Sequence, residues 1–240
     1  IINATAYTNV NKAESEPDLA MAINGIGPGV LAEEAKRSNS ALIHYSTDYV
    51  FDGTKGEPYK EEDPPTPISI YGETKLAGEE AVKAVGGAYL TLRTSWVYSL
   101  RRPCFVTKVL KWAREKETLR IVDDQISTPT WARILAESTT QVIAQGRIDA
   151  INYLREKSGL YHLTSIGACS RYDCANVILE NDPRHYEQKV KTIIPAKSQD
   201  FESPARRPYF SKLNCNLFKN TFSLLNNDWE IELKLAMNPK

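Results

Sequence analysis

An alternation restricts the fold of this chain more than any other feature of its sequence. Short apolar runs at 41–45, 88–93 and 119–122 read as strands, and they are separated by segments whose apolar residues recur at helical spacing, at 28–37, 69–84, 105–115 and 130–145. Strands that alternate with helices of this length predict parallel pairing through crossover helices. An open sheet of that kind offers its ligand site at the carboxyl ends of the strands. The opening Ile1-Ile2-Asn3-Ala4 reads as the end of a buried strand running into a small-residue turn. After Gly146 the rhythm loosens into a strand at 159–163, a helix at 171–179, a strand at 190–194 and a proline-containing stretch around Pro204 and Pro208. The expected organisation is a Rossmann-like, doubly wound α/β domain over residues 1–145, and mostly a smaller α/β lobe over 146–240.

Charge and composition remove several partners. Thirty basic residues balance thirty acidic ones without a dense Lys/Arg block, so the footprint of a nucleic-acid or anionic-membrane binder is missing. No apolar run approaches the length of a membrane span, and no leader pattern is visible, which makes the cytosol the default location. Cys104, Cys169, Cys174 and Cys215 are irregularly spaced and form neither a zinc set nor a redox pair; they read as reduced thiols. His44 and His162 lie in apolar strand segments and, like His185, read as structural histidines. No metal site is expected from spacing.

The chemistry concentrates in one region. In YGETK, residues 71–75, a phenol and an ammonium stand four residues apart, which on a helix places Tyr71 and Lys75 on one face. An ammonium beside a phenol favours the phenolate, and so suits a group that exchanges a proton with a carbonyl oxygen. The strand 41–45 delivers STDYVFDG, residues 46–53, at its carboxyl end, where the hydroxyl of Thr47 can reach the same carbonyl. A plain strand-capping turn is the competing explanation for Ser46 and Thr47. Asn3-Ala4-Thr5-Ala6-Tyr7 follows the first strand with small side chains that let a flat ligand approach the backbone.

These segments, together with LRTSWVY, DDQISTPTWA and the late PARRP, resemble the extended short-chain dehydrogenases/reductases, and within them the dTDP-4-dehydrorhamnose reductases, from Ile1 to about Arg207. The resemblance implies NADPH or NADH as cofactor, allows Mg2+ and a homodimer, and makes a deoxysugar nucleotide the substrate. The implied reaction is reduction of dTDP-4-dehydro-L-rhamnose to dTDP-L-rhamnose, for cell-surface polysaccharide. Tyr71 then becomes the catalytic acid, Lys75 its partner and ribose anchor, and Thr47 the group that orients the ketone. Asp48 and Trp96 fall on the sugar nucleotide, and Thr5, Ala6 and Tyr7 on the cofactor. Arg206 and Arg207 are candidates for a diphosphate contact, with a solvated basic turn as the alternative. Two other readings stay open: a reductase for another 4-keto-6-deoxy sugar nucleotide, and a non-catalytic relative of the regulatory subunit of methionine adenosyltransferase.

Two departures from that pattern stand out. No glycine-rich dinucleotide turn follows a strand. Gly25-Ile26-Gly27-Pro28-Gly29 lacks a preceding strand and reads as a helix-starting turn, so roughly two β-α units, on the order of 60 residues at about 30 each, are expected upstream of Ile1. Weak cofactor binding and an exposed strand edge are the corresponding expectations. The second departure is Ser99-Leu100-Arg101-Arg102-Pro103, where the family has a glycine-containing loop.

Overall fold

In the computed structural model, which describes residues 1–238, the chain divides into two compact units. The first comprises 1–94, 137–163 and 203–224; the second comprises 95–136, 164–202 and, of the described residues, 225–238. This corrects the expected boundary near residue 146. The units interleave because the strand at 159–162 pairs with the strand at 89–94, so spatial pairing draws a late segment into the first unit. Such long-range pairing leaves no local signature in sequence.

The first unit is built on a four-stranded, wholly parallel sheet. Its strands are β1 (Ile2–Asn3), β2 (Leu42–Thr47), β3 (Tyr89–Thr94) and β4 (Gly159–His162), in the spatial order β1-β2-β3-β4. β2 and β3 are central and buried over almost their whole length, which is why they read as apolar runs without clean alternation. β1 lies at the edge, and Ile1 and Ile2 are about half exposed rather than buried as the sequence suggests.

Two helices position the chemistry. α1 runs over residues 17–37 as Pro17–Met21, a wider π turn at Ala22–Ile26 and Gly27–Arg37. The expected helix-starting turn at Gly25–Gly29 is therefore wrong: those residues lie inside a helix that begins eleven residues before Pro28. Proline carries no N–H and clashes with the carbonyl four residues back, here Asn24, and the local π widening relieves that conflict. α2 (Ile70–Val85) starts where Ser69 accepts a hydrogen bond from the Gly72 N–H at 3.2 Å, and stops at Gly86, whose φ of 68° favours glycine. α1 and α2 pack closely, since a side chain at Gly78 would overlap the Asn24 carbonyl oxygen; α2 also approaches the turn after β2, where a side chain at Gly72 would overlap the Tyr49 carbonyl oxygen.

The second unit has its own parallel strand pair, Thr118–Val122 with Thr192–Ala196, and helices at Phe105–Glu115, Arg171–Glu180 and Trp229–Met237. Its later strand sits two residues beyond the expected 190–194, because the backbone N–H groups of Lys189 and Val190 instead cap the Ala113 carbonyl. Val109, Ala113, Ile178 and Leu233 form a dry apolar centre. The four cysteines are free, with Cys169 and Cys174 buried. Among the described residues no helix is long and apolar enough to cross a membrane.

Candidate active site

The site begins at the carboxyl end of β2. Thr47 ends the strand, and its side chain caps the short 3-10 turn Asp48–Val50 by accepting from the Tyr49 N–H at 3.2 Å. The strand-capping role read for Thr47 is therefore present. Its hydroxyl donates to Asp48 Oδ1 at 3.2 Å, and it lies near enough to the Tyr71 phenol to lower that group's pKa.

Asp48 differs from its expected place. It is 1% exposed, and its carboxylate receives Thr47 on one oxygen and Ser211 Oγ, at 2.5 Å, on the other. The carboxylate is occupied inside the unit, where it fixes the Thr47 hydroxyl from behind.

Tyr71 and Lys75 share one face of α2, as their spacing predicts. Burial of the Tyr71 ring pushes its phenol above the ordinary value, while the Thr47 hydrogen bond pulls the other way. Tyr49 packs edge-on against it at 5.8 Å. The expectation that Lys75 lowers the phenol is not met: desolvation dominates, and Asp48 and Tyr49 push in the same upward direction. Tyr71 is consequently a protonated phenol at neutral pH. Lys75 is 2% exposed, donates to the Tyr45 carbonyl at 2.6 Å and lies 3.5 Å from His44 Nε2. Burial lowers its pKa to about 8, with Glu79 opposing the shift.

The loop after β1 is tied to α1. The Tyr7 N–H donates to Asn24 Oδ1 at 2.8 Å, while Asn24 Nδ2 donates to the Tyr7 carbonyl at 3.1 Å and to Thr74 Oγ1 at 3.2 Å. One buried side chain thus holds the Thr5-Ala6-Tyr7 backbone against the helix that carries Tyr71 and Lys75. Thr5 donates twice to Asn3 Oδ1, and the Tyr7 phenol to Glu16 at 2.6 Å. The residues present fit the ribose and nicotinamide end of a dinucleotide. Lys75 as an ammonium keeps two further N–H donors, and the buried Ser46 hydroxyl, on the same face of β2 as His44, has no hydrogen-bond partner.

The remaining candidates fare unequally. Arg207 spends its guanidinium on Asn11 Oδ1 at 2.7 Å, Ser203 Oγ at 2.5 Å and the Ala205 carbonyl at 3.3 Å, so it braces its own loop rather than waiting for a diphosphate. Arg206 is exposed. Trp96 belongs to the second unit, where it adopts φ 40°, an unusual backbone for a bulky residue, and the Arg171 guanidinium lies 3.5 Å from its ring centroid. Residues 99–103 form a turn closed by Arg102 N–H to the Ser99 carbonyl at 3.3 Å. Among the described residues no cluster of three or more metal-ligating side chains occurs. Sequence reasoning missed Asn24, Ser211 and Asn3, all polar residues that become informative only once burial is known.

A phenol and a lysine on one helix face, at the carboxyl end of a parallel strand that presents a threonine, define the short-chain reductase class of site. The chain belongs to the RmlD substrate binding domain family, which it matches over residues 1–240. It is 40% identical to the dTDP-4-dehydrorhamnose reductase of Burkholderia thailandensis, covering 99% of this chain and 80% of that one. Among solved structures, the dTDP-4-dehydrorhamnose reductase of Clostridium acetobutylicum superposes with a TM-score of 0.88 at 36% identity, over 98% of this chain and 79% of that one. The Bacillus anthracis dTDP-4-dehydrorhamnose reductase, solved in complex with NADP, gives a TM-score of 0.87 at 34% identity, over 98% and 78%.

Proposed function

We propose that this chain reduces dTDP-4-dehydro-L-rhamnose to dTDP-L-rhamnose, with NADPH or NADH as hydride source, and that Thr47, Tyr71 and Lys75 are the residues that handle the proton. The family match and the names of the relatives support the substrate, and the NADP complex of the Bacillus anthracis protein supports the cofactor. The observation that carries the reading is the placement of Tyr71 and Lys75 one helical turn apart on α2, with Thr47 at the carboxyl end of β2.

A nicotinamide cofactor held beside Lys75 and the loop after β1 would supply the hydride. Tyr71 then gives its proton from Oη to the oxygen on which negative charge develops, which suits a phenol whose pKa burial keeps high. Lys75, largely an ammonium at neutral pH, compensates the phenolate left behind and holds ribose hydroxyls with its remaining donors. Thr47 keeps the phenol oriented, and Asp48 with Ser211 keeps Thr47 oriented. The Thr5–Tyr7 backbone, clamped by Asn24, would form one wall of the cofactor's place. Four free thiols suit the reducing environment of the cytosol.

The test is turnover of dTDP-4-dehydro-L-rhamnose, followed through loss of NADPH absorbance. Tyr71→Phe should lower kcat by about 10²–10⁴-fold, the usual worth of a positioned proton donor, with an unchanged melting temperature. Wild-type turnover in that variant would remove Tyr71 from the mechanism. Failure of the wild-type chain on this substrate, with turnover of a different 4-keto-6-deoxy sugar nucleotide, would change the substrate and keep the chemistry.

A further inference from the structure

His44 sits at the centre of the sheet with no exposure, and its two ring nitrogens face Asn3 and Lys75. Which nitrogen holds the proton can be worked out from one unambiguous donor. The Thr5 backbone N–H points at Asn3 Oδ1 at 3.1 Å, and the Thr5 hydroxyl reaches the same atom at 2.7 Å. A backbone N–H can only donate, so the atom it meets must be the carboxamide oxygen. The Asn3 nitrogen therefore faces His44 Nδ1, 3.0 Å away, and donates to it. Asn3 and His44 are direct partners across β1 and β2, so this contact is set by strand register.

A neutral imidazole that accepts at Nδ1 carries its proton on Nε2. Burial holds His44 neutral, far below its ordinary pKa, at about 3. Its Nε2–H consequently faces Lys75 Nζ at 3.5 Å. An ammonium cannot accept that hydrogen; an amine can, through its lone pair. The other charged group on Lys75 is Glu79 of its own helix, which is engaged at both oxygens by Arg93 of β3. The remaining contact of Nζ is the Tyr45 carbonyl.

We infer that Asn3 and His44 are positioning residues for Lys75: Asn3 fixes the imidazole as its Nε2–H tautomer, and that N–H favours the neutral amine over the ammonium. This rests on the reading of Lys75 as the partner of Tyr71, and it assigns to β1 a part in setting the protonation of a residue on α2. When Nζ releases a proton, its new lone pair receives the His44 N–H. The imidazole itself neither gains nor loses a proton, so the pair biases Lys75 without titrating.

The experiment is nuclear magnetic resonance on the full chain, with nitrogen-labelled histidine to read the tautomer and carbon-labelled lysine to titrate Lys75, identified by its absence in Lys75→Met. Only three histidines are present, which keeps assignment tractable. The wild type should show His44 protonated on Nε2 through neutral pH, and a Lys75 midpoint near 8. Asn3→Asp, which offers only an acceptor, should move the proton to Nδ1 and raise the Lys75 midpoint by about one pH unit or more, tenfold in the proton equilibrium. Asn3→Ala, which releases the tautomer without adding charge, should raise it in the same direction by less. A wild-type His44 protonated on Nδ1 would overturn the proposal, as would a Lys75 midpoint that stays put in both variants. If neither variant folds, the wild-type tautomer decides alone. None of these readings uses turnover, so a failed assignment of Tyr71 would appear in Tyr71→Phe and not here.

Discussion

The two units solve the problem of an interior differently. In the first, the centre of the sheet is lined with polar groups: Asn3, His44, Asp48, Lys75, Glu79, Arg93 and His162 are each at most 6% exposed. In the second, the principal cluster is apolar, with Val109, Ala113, Ala175, Ile178 and Leu233 fully sealed. Burying a charge costs several kcal/mol unless it is paired, whereas burying a Leu side chain returns roughly 1.5–3 kcal/mol. The first unit accepts that cost around the phenol and amine proposed to handle the proton, where low dielectric and fixed donors strengthen each polar contact. The second obtains its order chiefly from packing, with Glu232, held by Ser165, and Asp182, paired with Arg114, as buried charges beside that cluster.

The sharpest way to break this contrast is through the buried ion pair of Arg93 and Glu79, whose closest approach is 2.6 Å with both side chains sealed. Glu79→Leu strands a guanidinium, and urea unfolding should show a loss of about 3–5 kcal/mol. A loss below about 1 kcal/mol would mean that water reaches Arg93. Leu233→Ala in the second unit should cost about 2–5 kcal/mol through the cavity it leaves, with no dependence on pH between 5 and 8.

Acid provides the next contrast. His44 and His162 of the first unit are both held near a pKa of about 3 by burial, against an ordinary 6.5. Below 6.5 the unfolded chain binds protons that the folded chain refuses, so stability is full above that pH and falls as pH drops toward 3. Proton linkage measured from the pH dependence of unfolding should approach two protons in this window. His162→Asn should reduce it by about one; an unchanged slope would show that the ring is solvated. The smallest effect belongs to Arg171, stacked on Trp96 in the second unit, where Arg171→Ala should lower stability by about 0.5–1 kcal/mol in thermal melts.

Much of the frame was legible because its signals are local. The strands β2 and β3 and the helices from 70, 105 and 171 announce themselves through apolar period and capping residues such as Ser69 and Ser170. Tyr71 and Lys75 are legible for the same reason, since helical spacing alone puts them on one face. What escaped depends on partners distant in sequence. Asp48 looks like a ligand contact until Ser211, 163 residues away, is found on it. Arg207 looks available until Asn11 is found beside it. The phenol's direction of shift escaped as well, because pairing is visible in a motif and desolvation is not.

The π turn of α1 has a consequence for insertions and deletions. Asn24 reaches Tyr7 and Thr74 only because the helix carries one extra residue per turn at Ala22–Ile26. Removing one residue there would restore ordinary α geometry and rotate the preceding segment by about 100° about the axis. The carboxamide would swing away from the loop after β1. The number of residues in that turn is thus as strictly specified as the identity of Asn24, and a single-residue deletion more than forty positions before Tyr71 would release the loop after β1 from the helices.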